Sequence, residues 1–146
     1  MRPNLTHIAR HVCHFDDCLV FYKRYCQLEI IHQRKNHKHR VAWLAEHGRE
    51  SELVFVLISG GPNHDHDSRD FSHFGFALDS VEAVDRIAHL ARKHETLLWE
   101  PQQKAFPVGY FCGIEDPDGV CVEFSFGQPL GPGAEQITYD LEIAPL

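Results

Sequence analysis

The sequence has no long apolar run. None of its hydrophobic stretches approaches the roughly 18 residues that a membrane-spanning helix needs. The opening stretch Met1-Arg2-Pro3-Asn4-Leu5-Thr6 carries no apolar core of a secretory signal, so a soluble, cytoplasmic protein is expected. Paired-cysteine motifs are missing too. The five cysteines are odd in number, and Cys13, Cys18, Cys26, Cys112 and Cys121 show neither CxxC nor zinc-knuckle spacing. They are expected to be reduced thiols serving as small apolar residues. Basic charge is also scarce. The formal net charge is −7, and the longest basic cluster, His32 to Arg40, is interrupted by Gln33 and Asn36. Such a chain is a poor electrostatic match for nucleic acid.

What is present suits one globular domain. The 146 residues are 43% hydrophobic and 24% charged, enough to bury a core without disulfides. The segment also contains a weak internal duplication. His7–Val12 alternates like a strand, and Asp16 and Asp17 open a helix through Cys26 with Leu19, Tyr22, Tyr25 and Cys26 at helical spacing. Strands are expected near Leu28–Gln33, Arg40–Glu46 and Glu52–Ile58. The second half repeats the order. Ser72–Leu78 reads as a strand, and Asp79 with Glu82 reads as a capping box. Val84, Ile87, Ala88 and Ala91 form an apolar stripe. Strands follow near Glu95–Trp99, Gly109–Glu115 and Val120–Phe126. Asp116-Pro117-Asp118-Gly119 is a turn in which Pro fixes φ and Gly supplies positive φ. Residues 1–59 thus form a first βαβββ module, 60–71 a linker and 72–127 a second module. Residues 128–146 form an extended Gly- and Pro-rich tail, either docked on a partner subunit or disordered.

Side chains alternate across a strand, and this sorts the candidate chemistry. Phe74, Phe76 and Leu78 share one face, leaving His73 among Gly75 and Ala77 on the other. Val120, Val122, Phe124 and Phe126 share one face of the last strand, leaving Glu123 between Cys121 and Ser125 on the other. A carboxylate in the middle of an apolar strand is costly unless paired or metal-bound. His7, Ala9 and His11 share a face opposite Ile8 and Val12, and the duplication superposes His7 on His73. Two imidazoles and one carboxylate make a metal site with open coordination positions. Imidazole ligates in its neutral form, so binding should weaken in acid. With 12 His in the chain, isolated ones carry little information. His32, His37, His39, His47, His89 and His94 are expected on the surface. The loop His64-Asp65-His66-Asp67 is read as exposed and polar rather than as a site.

His7-Ile8-Ala9, the helix ending Phe21-Tyr22, His73-Phe74-Gly75-Phe76 and Glu115-Asp116-Pro117-Asp118-Gly119-Val120-Cys121-Val122-Glu123 together resemble the glyoxalase/bleomycin-resistance/dioxygenase (vicinal oxygen chelate) superfamily. The resemblance spans about residues 5–127, and the closing Asp-Pro-Asp-Gly-x-x-x-Glu is its most specific part. It implies an α+β fold of two βαβββ modules forming a metal-holding cup. It also implies a homodimer in which His7 of one chain joins His73 and Glu123 of the other.

The family's glyoxalase I members usually add a fourth ligand, a Glu near the end of the fourth strand. Here the duplication puts Val56 opposite Glu123, and Glu52 lies roughly 13 Å away along the strand. A Tyr that many relatives carry ten residues before the Glu is Gly113 here, and the Thr that thiol transferases carry two residues after the first His is Ala9. The resemblance therefore implies a metal-dependent enzyme acting on a small oxygen-chelating molecule, with dioxygenase-type chemistry the first choice. Glyoxalase-type isomerase or lyase chemistry comes second, and a metal-free antibiotic-binding resistance protein is the rival class. The ion is divalent, drawn from Fe, Mn, Ni, Co and Zn, with iron the first choice. His11 is the acid–base candidate, and Tyr110 is a candidate hydrogen-bond donor to substrate.

Overall fold

The computed structural model describes residues 1–134. The remainder of the tail, 135–146, lies outside the described residues. Two compact units emerge: Met1–Asp70 together with Asp116–Val120, and Phe71–Glu115 together with the described residues from Cys121 onward. No helix among the described residues is long and apolar enough to cross a membrane.

The first unit holds β1 (His7–Val12), α1 (Phe15–Tyr25), β2 (Glu29–Lys35), β3 (Arg40–Ala45) and β4 (Val54–Ser59). Its sheet runs β1-β4-β3-β2, with β1 and β4 parallel and the other neighbours antiparallel. The helix forms because Phe15, Cys18, Leu19, Phe21, Tyr22 and Tyr25 give one buried stripe. Asp16 and Asp17 in the first turn and Lys23 and Arg24 in the last complement its dipole. Its Tyr22 ring packs on Phe55 of β4, with centroids 4.8 Å apart, which makes Phe55 and Leu57 the helix-facing side of that strand. β2 runs two residues further than the alternation predicts. Arg34 and Lys35 still pair with Val41 and Arg40, and their charges suit an exposed sheet edge.

The second unit repeats the plan with β5 (His73–Ala77), α2 (Val81–Lys93), β6 (Leu97–Lys104), β7 (Gly109–Glu115) and β8 (Cys121–Phe126), in sheet order β5-β8-β7-β6. The expected two-module α+β architecture is what the chain adopts. Local details differ. The helix cap is Ser80, whose Oγ accepts the Ala83 N–H at 3.2 Å, not the Asp79–Glu82 box. β6 extends through Pro101 to Lys104, well past the predicted end at Trp99. It lies at the sheet edge with register shifts around Trp99 and Gln102, the setting in which a strand tolerates proline. All five cysteines are free. Burial pushes the Cys18 and Cys112 thiols up to about 12, so both are inert apolar fillers.

The Asp-Pro-Asp-Gly turn sits inside the second module in sequence, yet it groups with the first unit. Its carboxylates explain why. Asp116 pairs with Arg10 and accepts the Tyr22 hydroxyl at 2.7 Å. Asp118 accepts the N–H groups of Cys13 at 2.8 Å and His14 at 2.9 Å, capping the entry to α1 where His14 itself supplies no side-chain cap. Burial works to raise the Asp118 pKa, but the hydrogen bonds from His14 and Cys13 outweigh it, and the carboxyl is held below its ordinary value. A folded-state pKa below the unfolded one gives stability that is present above the unfolded pKa. It is lost as pH falls through the folded pKa. Asp118→Asn should therefore cost about 1–3 kcal/mol at neutral pH and flatten the acid limb of stability against pH. Urea denaturation at several pH values checks this, and an unchanged acid limb would refute it.

Candidate metal centre

In β5 and β8 the alternation of bulky and small residues places His73 and Glu123 together. The strands are parallel neighbours, with His73 opposite Cys121 and Gly75 opposite Glu123. Phe76 stacks on Phe124 on the other face, with ring centroids 5.8 Å apart. Gly75 lies beside the Glu123 carboxylate, where a Cβ would sit 3.6 Å from Oε1, in ordinary contact. The carboxylate is only 6% exposed, so it needs compensation for its lost water.

The proton positions are constrained. His73 Nδ1 lies 2.6 Å from the Phe71 carbonyl oxygen, which can only accept, so Nδ1 carries the ring proton. In the neutral ring Nε2 is then a lone pair, and it faces Glu123 Oε2 at 3.4 Å. A lone pair opposite a carboxylate oxygen is repulsive, whereas a cation between them, a proton on Nε2 or a metal ion, makes the contact favourable. Two ligand atoms of one metal ion, with bonds of about 2.0–2.2 Å and ordinary coordination angles, lie roughly 3 Å apart. The donor set thus fits a divalent ion, and the Phe71 carbonyl is the kind of partner that fixes a ligating imidazole.

His7 occupies the equivalent place in the first unit. It sits on β1 beside Val54, with Thr6 Oγ1 3.1 Å from its Nδ1. It borders a cavity of about 400 Å³ on the sheet face away from α1, walled by Ala9, Trp43, Val54 and Val56. Val56 pairs with Ala9 on one side and Trp43 on the other. Among the described residues no carboxylate lines this cavity, and Arg34 is the cationic wall.

The other two predicted residues lie elsewhere. His11 shares the His7 face but sits four residues along β1, roughly 13 Å away, with Nε2 3.2 Å from the Ser59 carbonyl. Tyr110 pairs with Phe126, which places it on the helix-bearing face of its sheet, opposite to Glu123. Its hydroxyl donates to Asp85 of α2 at 2.7 Å. The polar loop also turns inward on itself, with Asp67 ion-paired to Arg69 at 2.7 Å. Elsewhere Glu29, His47 and Glu50 bring ligand atoms within 4.8 Å of one another, but Glu29 and His47 are solvent-exposed.

Three contributors escaped the sequence reading. The Phe71 carbonyl is one. Gln128 is another, donating from Nε2 to Glu123 Oε1 at 2.8 Å. The third is Trp99, which pairs with Gly113 and stands edge-on to His73 with ring centroids 5.4 Å apart. A Cβ at residue 113 would come within 2.5 Å of the Trp99 ring, so the glycine makes room for the indole. A large residue facing a small one across β6 and β7 is the signal that could have revealed it.

The model of the Glyoxalase/Bleomycin resistance protein/Dioxygenase superfamily matches residues 4–124. An uncharacterized protein of Pseudomonas aeruginosa is 47% identical over 137 residues, covering 94% of this chain and 98% of that one. Among solved structures, a glyoxylase/bleomycin resistance protein/dioxygenase domain from Frankia sp. EAN1pec superposes with a TM-score of 0.68 at 18% identity, covering 88% of this chain and all of that one. A mutant of the fosfomycin resistance protein FosX from Listeria monocytogenes, complexed with Mn(II) and 1S,2S-dihydroxypropylphosphonic acid, gives 0.70 at 16% identity, covering 88% of this chain and 95% of that one.

Proposed function

The chain belongs to the Glyoxalase/Bleomycin resistance protein/Dioxygenase superfamily, and from that premise we propose that it is a metal-dependent enzyme acting on a small molecule that chelates through neighbouring oxygens. His73 and Glu123 of one chain and His7 of a second chain in a homodimer hold the ion. The observation that carries this reading is His73 Nε2 facing the buried Glu123 carboxylate at 3.4 Å while Nδ1 is committed to the Phe71 carbonyl. When bound, the divalent ion supplies a Lewis acid with open positions for substrate oxygens. The chain's own residues do the rest. The Phe71 carbonyl fixes the His73 tautomer. Trp43, Val54 and Val56 give the cavity beside His7 apolar walls, and Arg34 attracts a ligand's anionic oxygens.

Dioxygenase-type chemistry is favoured over glyoxalase-type isomerisation because Val56 offers no fourth carboxylate and hence no base for a proton shuttle. Iron remains the first choice of metal. In this reading neither His11 as acid–base group nor Tyr110 as donor to substrate takes part. His11 is about 13 Å along the strand from His7, and the Tyr110 hydroxyl is held by Asp85.

Metal analysis tests the reading. The wild-type chain should take up about one divalent ion per protomer at neutral pH, and His73→Ala should lose at least 100-fold in affinity. Stoichiometric binding that His73→Ala leaves intact, or no binding by the wild type, sinks the proposal. Oxygen consumption by the iron-loaded protein across a catechol panel separates dioxygenase from isomerase chemistry.

A further inference from the structure

The chain reverses directly after β8. Gly127 follows with φ of +84°, and the residues after it contact the unit they have just left. Two glycines press this arm into place. A Cβ on Gly131 would lie 2.2 Å from the Ala77 Cβ, and one on Gly133 would lie 2.8 Å from the Phe126 ring. Ala77 shares the His73 and Gly75 face of β5, so at Gly131 the arm lies on the face that carries the candidate ligands. At its start Gln128 is half-buried and places its amide against Glu123.

A carboxylate only accepts, so the contact to Oε1 is a donation from the Gln128 amide nitrogen. The other oxygen, Oε2, is the one facing His73. The two oxygens of Glu123 are therefore unequal: one is committed to the arm and one is presented to the imidazole.

We propose that Gln128 is a positioning residue for the metal centre, holding Oε1 so that Glu123 offers Oε2 alone as a ligand atom. This rests on the metal-binding reading above. Outer partners of a ligating carboxylate set its orientation, and their loss typically lowers metal affinity about 10–100-fold. Without the amide, Glu123 is free to turn and to offer both oxygens, which changes the coordination sphere as well as the affinity. The arm thereby acquires a task within its own module.

The test uses the full-length protein and Co(II), followed by titration calorimetry and by the visible absorption of the bound ion. Gln128→Met keeps the side-chain length and removes the donor. It should bind Co(II) about 10–100-fold more weakly, with an altered visible spectrum and a cooperative unfolding transition that shows the variant still folds. Leu130→Ala, at an exposed position of the same arm, should match the wild type in both readouts. Should Gln128→Met not fold, Gln128→Asn supplies the same comparison, because its amide falls one methylene short of Glu123. If the wild type takes up no Co(II), the metal-binding reading fails and this inference falls with it. If the wild type binds and the Gln128 variant equals it in affinity and spectrum, the inference alone is overturned.

Discussion

Asp116→Ala should destabilise the protein by about 3–5 kcal/mol, the cost of stripping one partner from a buried ion pair. The Asp116 side chain is fully buried and Arg10 is 12% exposed, so water can replace little of what is lost. Every lone pair of the carboxylate is used. Oδ1 accepts the backbone N–H groups of Asp118 and Val120, each at 2.9 Å, and shapes the turn. Oδ2 accepts from Tyr22 and pairs with Arg10. Burial, and then the neighbouring Asp116, push the Tyr22 phenol far above its ordinary pKa, so it remains a donor at any working pH. Alanine removes one acceptor from a guanidinium, a phenol and two N–H groups. Asp116→Asn keeps the shape and one oxygen but turns an NH₂ toward existing donors, and it should fall between the two. Urea denaturation measures both, and a loss below about 1 kcal/mol for alanine would place Asp116 among ordinary surface positions and refute the account.

That turn shows where sequence patterns stop being informative. Asp116-Pro117-Asp118-Gly119 reads plainly as a turn because φ preferences are local. Its partners Arg10, Cys13, His14 and Tyr22 come from the first module, and no spacing rule connects them. The two-module fold was legible because period-two and period-3.6 patterns repeat in the same order in both halves. The faces of β5 and β8 were legible for the same reason: Gly75 beside His73 and Phe124 beside Glu123 fix parity without any knowledge of pairing. Tyr110 was not, because its face depends on the β7–β8 register, and proximity in sequence to Glu123 says nothing about parity across a hairpin. Gln128 was hidden by the reversal at Gly127. The Gly- and Pro-rich composition beyond it records that the chain leaves the sheet, but not where it goes.

Coexpressed His7→Ala and Glu123→Ala chains should recover metal binding that each lacks alone. The proposal draws His7 from one protomer and His73 with Glu123 from the other, so each homodimer of a single variant has both sites damaged. In the heterodimer the damage sorts unevenly. One site collects both substitutions, and the other is assembled from the intact His7 of the Glu123→Ala chain and the intact His73 and Glu123 of the His7→Ala chain. Separate affinity tags isolate the heterodimer, which should hold about one metal ion where a wild-type dimer of this twofold kind holds about two. The intact site should also bind with wild-type affinity, since His7 and Glu123 each keep their local partners, Thr6 and Gln128. A heterodimer that binds no metal, beside a wild type that does, would show that each chain completes its own site. A monomeric wild type that binds metal would do so equally. Either result would leave the ligand set standing and remove the second chain from it.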